Sequence, residues 1–198
     1  MEHRRSADLA LRWSRHLESL AGLAAVDEWP PAGAVRAAHR DPVSPGGEVL
    51  LWRAVQSGDP LADSGIDLAA RGPLWRSDAW AAIEVWTEAE LCGLHALWRA
   101  ARLRSDERGP IRNRLSAAID WHLEHTQPDN ATNRPWALHA FLFDPREEGR
   151  LYAETLLHNA QAQGLGDDAS RWILADAARE LRLSAATLDG AAGASGNE

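Results

Sequence analysis

The chain has 198 residues and a formal net charge of -8, with 45% hydrophobic and 25% charged residues. This composition is typical of a folded globular protein and excludes a disordered or fibrous chain. No apolar run approaches the ~20 residues that cross a bilayer. The amphipathic N-terminus lacks an apolar signal-peptide core, so we expect neither a membrane span nor a secretion signal.

The charged residues and the single cysteine exclude several kinds of chemistry. All 21 basic residues are arginine, which rules out a lysine Schiff base and a P-loop lysine. Cys92 is the only cysteine, so the chain holds neither an internal disulfide nor a Cys-based zinc cluster. A reducing cytoplasm is therefore the expected location. The acidic balance disfavours nucleic acid and anionic membranes as partners.

Tryptophan supplies most of the aromatic residues, with ten Trp against two Phe and one Tyr. An indole ring buries a large area and needs a partner for its N–H group. Two interpretations stay open for each ring. It packs in the core, which we take as the default, or its face lines a groove that stacks on sugars or flat ligands.

Helical periodicity dominates the N-terminal third, and alternating strand patterns are nearly absent. Ser6 is expected to cap a first helix over 6–24. Proline and glycine break the pattern over 29–76, which we predict to be irregular. Within that segment the pattern leaves room for one helical turn at 33–39 and a short helix at 48–56.

The C-terminal two thirds of the chain predicts a series of helices. The segment 78–85 starts helically, and Thr87 with Glu90 matches a capping box that predicts a helix running to 104. Further helices are predicted at 111–126, 134–143, 147–163 and 170–182. Connections of roughly 4–8 residues indicate antiparallel helical hairpins. We therefore predict an all-α protein with a single domain over 1–183 and a disordered Ala-, Gly- and Ser-rich tail over 184–198.

The segment 121–139 carries the clearest pattern for a ligand site. At about 100° per residue, His122 falls in line with the apolar positions of its helix, and we place His125 one turn further on the same side. The end of that helix favours a cation, whereas the start of the next helix favours an anion. The predicted ligand-binding residues are Trp121, His122, His125, Asp129, Asn130, Asn133, Trp136 and His139.

A purely structural role for the same residues stays open. Inward-facing histidines are commonly hydrogen-bonded core residues. His95 borders an apolar stripe and is most simply a packed residue. Asp129 and Asn130 suit a turn, and Asn133 suits a helix cap. A metal shared by His122 and His125 would need a third ligand, and no HExxH motif is present. We therefore predict no metal ion and no cofactor.

Trp- and Ala-rich hairpins with polar loops, here Gln127-Pro128-Asp129-Asn130 and Asn133-Arg134-Pro135-Trp136, resemble the α/α-toroid proteins over about residues 78–182. That family includes terpenoid cyclases and carbohydrate-processing enzymes. The resemblance implies inner helices that ring a cavity, with the site built by the loops at one end. The chain has about half the length of a six-hairpin toroid and lacks the acidic DxDD motif. It has no matching carboxylate pair, so the resemblance assigns no catalytic residue.

Three functions follow as hypotheses from these patterns. The first is a non-catalytic soluble helical domain that binds a small polar ligand or a protein partner at 121–139. The second is an enzyme acting on a carbohydrate-like or other polar metabolite. In it His122 or His125 serves as acid and base, and Trp121 or Trp136 is a stacking platform. The third is a metal-dependent hydrolase that uses these histidines. The sequence sets neither the oligomeric state nor the choice between binding and catalysis.

Overall fold

A computed structural model describes residues 2–22, 30, 46–80, 82–106, 109–126 and 134–194. Within these ranges the chain forms seven α-helices and no β-strand, so the predicted all-α class is confirmed. The helices are α1 (Glu2–Ala21), α2 (Gly47–Ser57), α3 (Ile83–Leu103), α4 (Pro110–His125), α5 (Leu138–Leu142), α6 (Glu147–Gln163) and α7 (Asp168–Ala194). Two 3-10 turns, Leu61–Ser64 and Ser77–Ala79, interrupt the irregular segment before α3. None of the described helices combines the length and the hydropathy that a bilayer span requires.

Helix α3 is the centre of the fold. Every residue from 89 to 101 is buried, because α2, α4 and α5 all pack against this helix. A helix enclosed on all sides must pair its polar side chains internally. This applies to Glu90, His95 and Arg99, which are all at most 3% exposed. Around this core α1 packs along α7, and α5 packs against α6.

Two buried charged side chains anchor the irregular segment 65–76 to the core. The Glu90 carboxylate accepts the backbone N–H groups of Leu74 and Trp75 at 2.8 and 2.5 Å. Arg114, on α4, donates to two carbonyl oxygens of the same segment at 2.8 and 2.5 Å. These bonds satisfy backbone groups that no helix or sheet would pair. The segment is therefore irregular, as predicted, and also fixed in place.

The Trp75 ring fills space that two glycines leave open. A Cβ atom at Gly47 or Gly93 would lie 2.2 to 2.4 Å from the nearest ring atom. The backbone oxygen of Trp75 accepts the indole N–H of Trp86 at 2.9 Å. Because these two positions on α2 and α3 are glycine, the Trp75 ring can insert between the two helices.

The predicted capping box at the start of α3 is wrong. The helix begins at Ile83, so Thr87 lies inside it and donates its hydroxyl to the Ile83 carbonyl oxygen at 2.9 Å. Glu90 is turned towards the backbone of Leu74 and Trp75 instead of the helix end. The backbone N–H groups of Leu74 and Trp75 need a buried acceptor. This requirement outweighs the local capping preference, which is worth about 1 kcal/mol.

The predicted disordered tail over 184–198 is helical as far as Ala194. Ala185 is only 1% exposed, and α1 packs along α7. Alanine has the best intrinsic helix propensity, so a packed neighbour suffices to extend the helix. The last four residues, 195–198, lie outside the described ranges.

Candidate functional site

His122 faces inward as predicted, but the surrounding protein encloses it completely. Its side chain is 0% exposed and lies 6.1 Å from the Trp86 ring, stacked upon it. Nε2 donates to the Glu90 carboxylate at 3.3 Å, and Nδ1 hydrogen-bonds with the Thr126 hydroxyl at 3.0 Å. The Thr126 hydroxyl also contacts the Tyr152 hydroxyl at 3.0 Å. This environment is that of a fully bonded core histidine.

His125 faces solvent, which contradicts the predicted inward pair. Its side chain is 52% exposed, and its ring stacks on Trp121 at 5.0 Å with only 6° between the planes. Its Nδ1 donates to the Trp121 carbonyl oxygen at 3.0 Å. Three residues turn a helix through about 300°, so the two imidazoles point about 60° apart. The buried stripe of α4 ends at His122.

The remaining predicted residues divide into enclosed and undescribed ones. Trp136 is 0% exposed and donates its indole N–H to Glu88 at 3.1 Å. His139 is also 0% exposed, and its ring lies 4.5 Å from that of His95. Asp129, Asn130 and Asn133 lie outside the described residues. The five described members of the predicted site therefore do not share one solvent-accessible surface.

A buried charged network centred on Asp176 joins α3 to α7. The Asp176 carboxylate accepts from His95 Nε2 at 2.9 Å and from Arg99 at 2.6 Å, and Arg179 contacts it as well. His95 Nδ1 accepts the backbone N–H of Ala137 at 3.3 Å. Burial alone would raise the pKa of Asp176, but the His95 hydrogen bond and the arginine charges hold it below its usual range. Both side chains of the His95–Asp176 pair are 0% exposed, so this network is part of the protein core.

His139 is a buried polar side chain beside this network. Neither ring nitrogen has a hydrogen-bond partner among the described residues. Burial, with the neighbouring His95 as a second cause, holds the pKa of His139 well below its usual value. The ring is therefore neutral and acts as an apolar neighbour of Trp98, which it meets edge-on at 5.1 Å.

Two glutamates, the buried Glu48 on α2 and the half-buried Glu88 on α3, have raised pKa values. Burial raises the pKa of both Glu48 and Glu88 to about 7. The sulfur of Cys92, on α3, accepts the Trp52 indole N–H at 3.3 Å. Burial, followed by the charge of Glu48, raises the pKa of this thiol well above its usual range. Cys92 is thus a buried thiol of low reactivity.

An open groove of about 1000 Å³ lies where the end of α3, α4, the α5–α6 turn and α7 meet. Two aromatic residues line it, Trp98 and Phe143, whose rings stack with centroids 4.9 Å apart and planes 15° apart. Leu115 and Ile119 from α4, together with Leu183 from α7, add apolar walls. None of the described residues of the predicted 121–139 site lines this groove.

Three arginines border the groove, and each has a defined contact. The Arg102 guanidinium lies 2.8 Å from the Glu180 carboxylate, within ion-pair distance. Arg146 forms ion pairs with Asp144 at 2.6 Å and with Asp120 at 2.5 Å. The guanidinium of the third, Arg112, lies 4.3 Å above the Trp98 ring centroid, within cation–π distance.

Sequence reasoning missed both this groove and the Asp176 network, and a sequence signal was present for the network. His95, Arg99 and Arg102 recur at helical spacing on α3, and Asp176 and Glu180 do so on α7. A polar stripe within an otherwise apolar helix indicates a partner stripe of opposite charge elsewhere in the fold. The pairing itself joins residues about 80 positions apart, as in the 81-residue separation of His95 and Asp176.

The described ranges contain no group of three or more His, Cys, Asp or Glu side chains placed to hold a metal ion. Comparison of the chain with protein-family models, with curated proteins and with solved structures found no match.

Proposed function

We propose that this protein is a non-catalytic binding domain whose small polar ligand occupies the groove between α4 and α7. The observation that carries the proposal is the groove itself, which is lined by aromatic, apolar and charged side chains. Pockets of this size with a mainly apolar lining and a few convergent polar groups are the usual form of small-molecule sites. The proposal keeps the ligand class predicted from the sequence and moves the site away from 121–139.

The polar groups of the groove favour binding over catalysis. General acid–base chemistry needs a titratable group within hydrogen-bond reach of the substrate. In the part of the chain that the structure describes, no histidine lines the groove. The rim carboxylate of Asp144 is hydrogen-bonded to Arg146, and that of Glu180 accepts the Trp98 indole N–H and forms an ion pair with Arg102. These residues can hold and orient a ligand, which is the role that we assign to them.

The proposal is tested by filling the groove. Leu183 is 46% exposed and lines the groove, whereas Leu151 is 49% exposed on α6 and does not. Leu183→Trp therefore adds a bulky ring to the site, and Leu151→Trp adds the same ring to an unrelated surface. Saturation-transfer NMR with a library of small polar compounds measures binding to both variants and to the parent protein.

We expect compounds that bind the parent protein to lose most of their signal with Leu183→Trp and to keep it with Leu151→Trp. Equal thermal stability of the two variants serves as the folding control. The proposal is contradicted if the library yields no binder, or if every binder is unaffected by Leu183→Trp.

A further inference from the structure

Ala137 has a backbone conformation that alanine rarely adopts. It immediately precedes α5, is buried, and has a φ of +54°, in the left-handed region. This region is strained for a residue with a Cβ atom. Ala137 nevertheless starts the helix, because its carbonyl oxygen accepts the N–H groups of Ala140 at 2.8 Å and Phe141 at 3.4 Å. The direction in which α5 leaves the preceding chain therefore depends on what holds Ala137.

His95 holds Ala137 from across the core. The Ala137 N–H group donates to His95 Nδ1 at 3.3 Å, and His95 Nε2 donates to the Asp176 carboxylate at 2.9 Å. A backbone N–H group can only donate, so Nδ1 is the nitrogen without a hydrogen. The bond to Ala137 thus requires a neutral His95 ring whose hydrogen lies on Nε2.

Protonation of His95 keeps one of these bonds and breaks the other. An imidazolium donates from both nitrogens, so it still donates to Asp176, and that bond gains charge assistance. Nδ1 then directs a hydrogen at the Ala137 N–H group, and two donors oppose each other. Leaving a buried N–H group without an acceptor shifts a local equilibrium by about tenfold or more. The contact between α3 and α7 is kept, whereas the start of α5 is destabilised.

Charges of both signs surround His95. They lie beside it or behind the rings that it contacts: Asp176 and Arg179 on α7, Arg99, Cys92 and Glu88 on α3, Glu48 on α2, Arg112 on α4 and His139 on α5. Asp176 favours the imidazolium, and its pKa lies below its usual range, so it stays a carboxylate in mild acid. Arg99 and Arg179 share that carboxylate and disfavour a third positive charge. His139 stays neutral, because burial holds its pKa well below its usual value.

Glu48 and Glu88 respond to acid with the opposite sign. Burial raises the pKa of both to about 7 from an ordinary value of 4.5. A carboxyl group of this kind binds its proton more tightly in the folded chain than in the unfolded one. Its protonation therefore stabilises the fold as the pH falls from about 7 to 4.5. A contact that weakens in acid has the sign expected for His95.

Helix α5 forms part of the groove. Ala140 on this helix and Phe143 directly after it both line the groove, and Phe143 stacks on Trp98. A change at the start of α5 therefore reaches the surface that the ligand contacts.

Resting on the proposed function of the groove, we propose that neutral His95 is a positioning residue that holds α5 in the groove wall, and that its protonation in acid loosens this wall and weakens ligand binding. His95 acts through Ala137 and does not touch the ligand. Histidine changes its charge between about pH 8 and 5, which sets the range to be tested.

Hydrogen exchange of the full chain, followed by NMR, tests the effect on α5 without any ligand. The protection factor of the Ala137 amide, which corrects for the intrinsic pH dependence of exchange, should fall about tenfold between pH 8 and 5. Leu17, buried on α1, is the internal control, and its protection should not fall. Long-range ¹H–¹⁵N spectra at pH 8 should show the His95 hydrogen on Nε2.

Two substitutions separate the two bonds of His95. His95→Asn places an amide oxygen near the position of Nδ1, so it keeps an acceptor for Ala137 that does not titrate. Protection of Ala137 should then be independent of pH. His95→Gln reaches towards Asp176 but offers Ala137 no acceptor, so Ala137 should exchange rapidly at every pH. Glu88→Gln is the matched control, since Glu88 binds the Trp136 indole next to Ala137, and the pH response should persist in it.

An uncharged library compound that binds the parent protein tests the effect on the groove. Its affinity should fall about tenfold between pH 8 and 5 in the parent protein and stay constant in His95→Asn. An affinity that does not change with pH in the parent protein would overturn the regulation of the groove.

The role of His95 is overturned if protection of Ala137 is the same at pH 8 and 5, or if the His95 hydrogen lies on Nδ1 at pH 8. It is also overturned if Glu88→Gln removes the pH response. Should the His95 variants fail to fold, the pH profile and the spectra of the parent protein decide. These measurements need no ligand, so their failure leaves the proposed function standing. A library without binders contradicts the proposed function, and the exchange data still decide the role of His95 at α5.

Discussion

Single residues show how far helical periodicity predicts the surroundings of a side chain. His122 lies inside the protein, as its alignment with the apolar stripe of α4 indicates, and it is 0% exposed. His125 was expected on the same side, yet it stacks on Trp121 in contact with solvent. A rotation of about 60° around the helix axis separates the two side chains. At the end of α4 this rotation places His122 within the buried stripe and His125 outside it.

The contrast between these two histidines gives a residue-scale prediction. His122→Ala removes a buried ring that bonds to Glu90 and Thr126, so it should lower the free energy of unfolding by about 2–4 kcal/mol. His125→Ala removes an exposed ring and should change it by less than about 0.5 kcal/mol. Urea denaturation followed by circular dichroism measures both values. Equal effects of the two substitutions would contradict the core role that we assign to His122.

At the scale of elements, the sequence predicts the number and order of the C-terminal helices but places some ends incorrectly. Helices α4 and α6 lie close to their predicted ranges, because long periodic segments carry strong local signals. The start of α3 and the end of α7 differ from prediction. A tertiary contact explains each difference. At the start of α3, Glu90 binds a distant backbone segment, and at the end of α7 the helix packs along α1.

The insertion of Trp75 between α2 and α3 gives an element-scale prediction. In Gly93→Ala the new Cβ would lie 2.4 Å from the Trp75 ring and 2.9 Å from Leu74, so the segment has to move. Overpacking of this kind costs about 1–3 kcal/mol. We expect the variant to unfold at lower urea concentration and to be cleaved faster within 65–76 by protease.

Gly166→Ala is the control for this substitution, because nothing lies within 4 Å of a Cβ at that position. Its stability should stay within about 0.5 kcal/mol of the parent protein. A Gly93→Ala variant as stable and as protease-resistant as this control would show that the Trp75 ring is not closely held.

At the scale of the whole molecule, the groove arises from parts of the chain that are far apart in sequence. Four elements line it, with Trp98 from α3, Arg112 from α4, Phe143 from the turn after α5 and Leu183 from α7. Periodicity within one helix carries no information on which faces of different helices meet, so the sequence could not locate this groove. The sequence instead predicts a ligand site at 121–139, because the polar residues of that segment are adjacent in sequence. The resemblance to α/α-toroid proteins stays a prediction.

The central claim is that the ligand binds beside Trp98 and not at 121–139. The indole N–H resonances in ¹⁵N NMR spectra report on each tryptophan separately, with Trp→Phe variants used for assignment. On titration with a library compound that binds the parent protein, we predict that the Trp98 signal shifts, because its indole N–H is bonded to Glu180, which lines the groove. The Trp121 and Trp136 signals should stay in place. A shift of Trp121 or Trp136 with Trp98 unchanged would contradict the account.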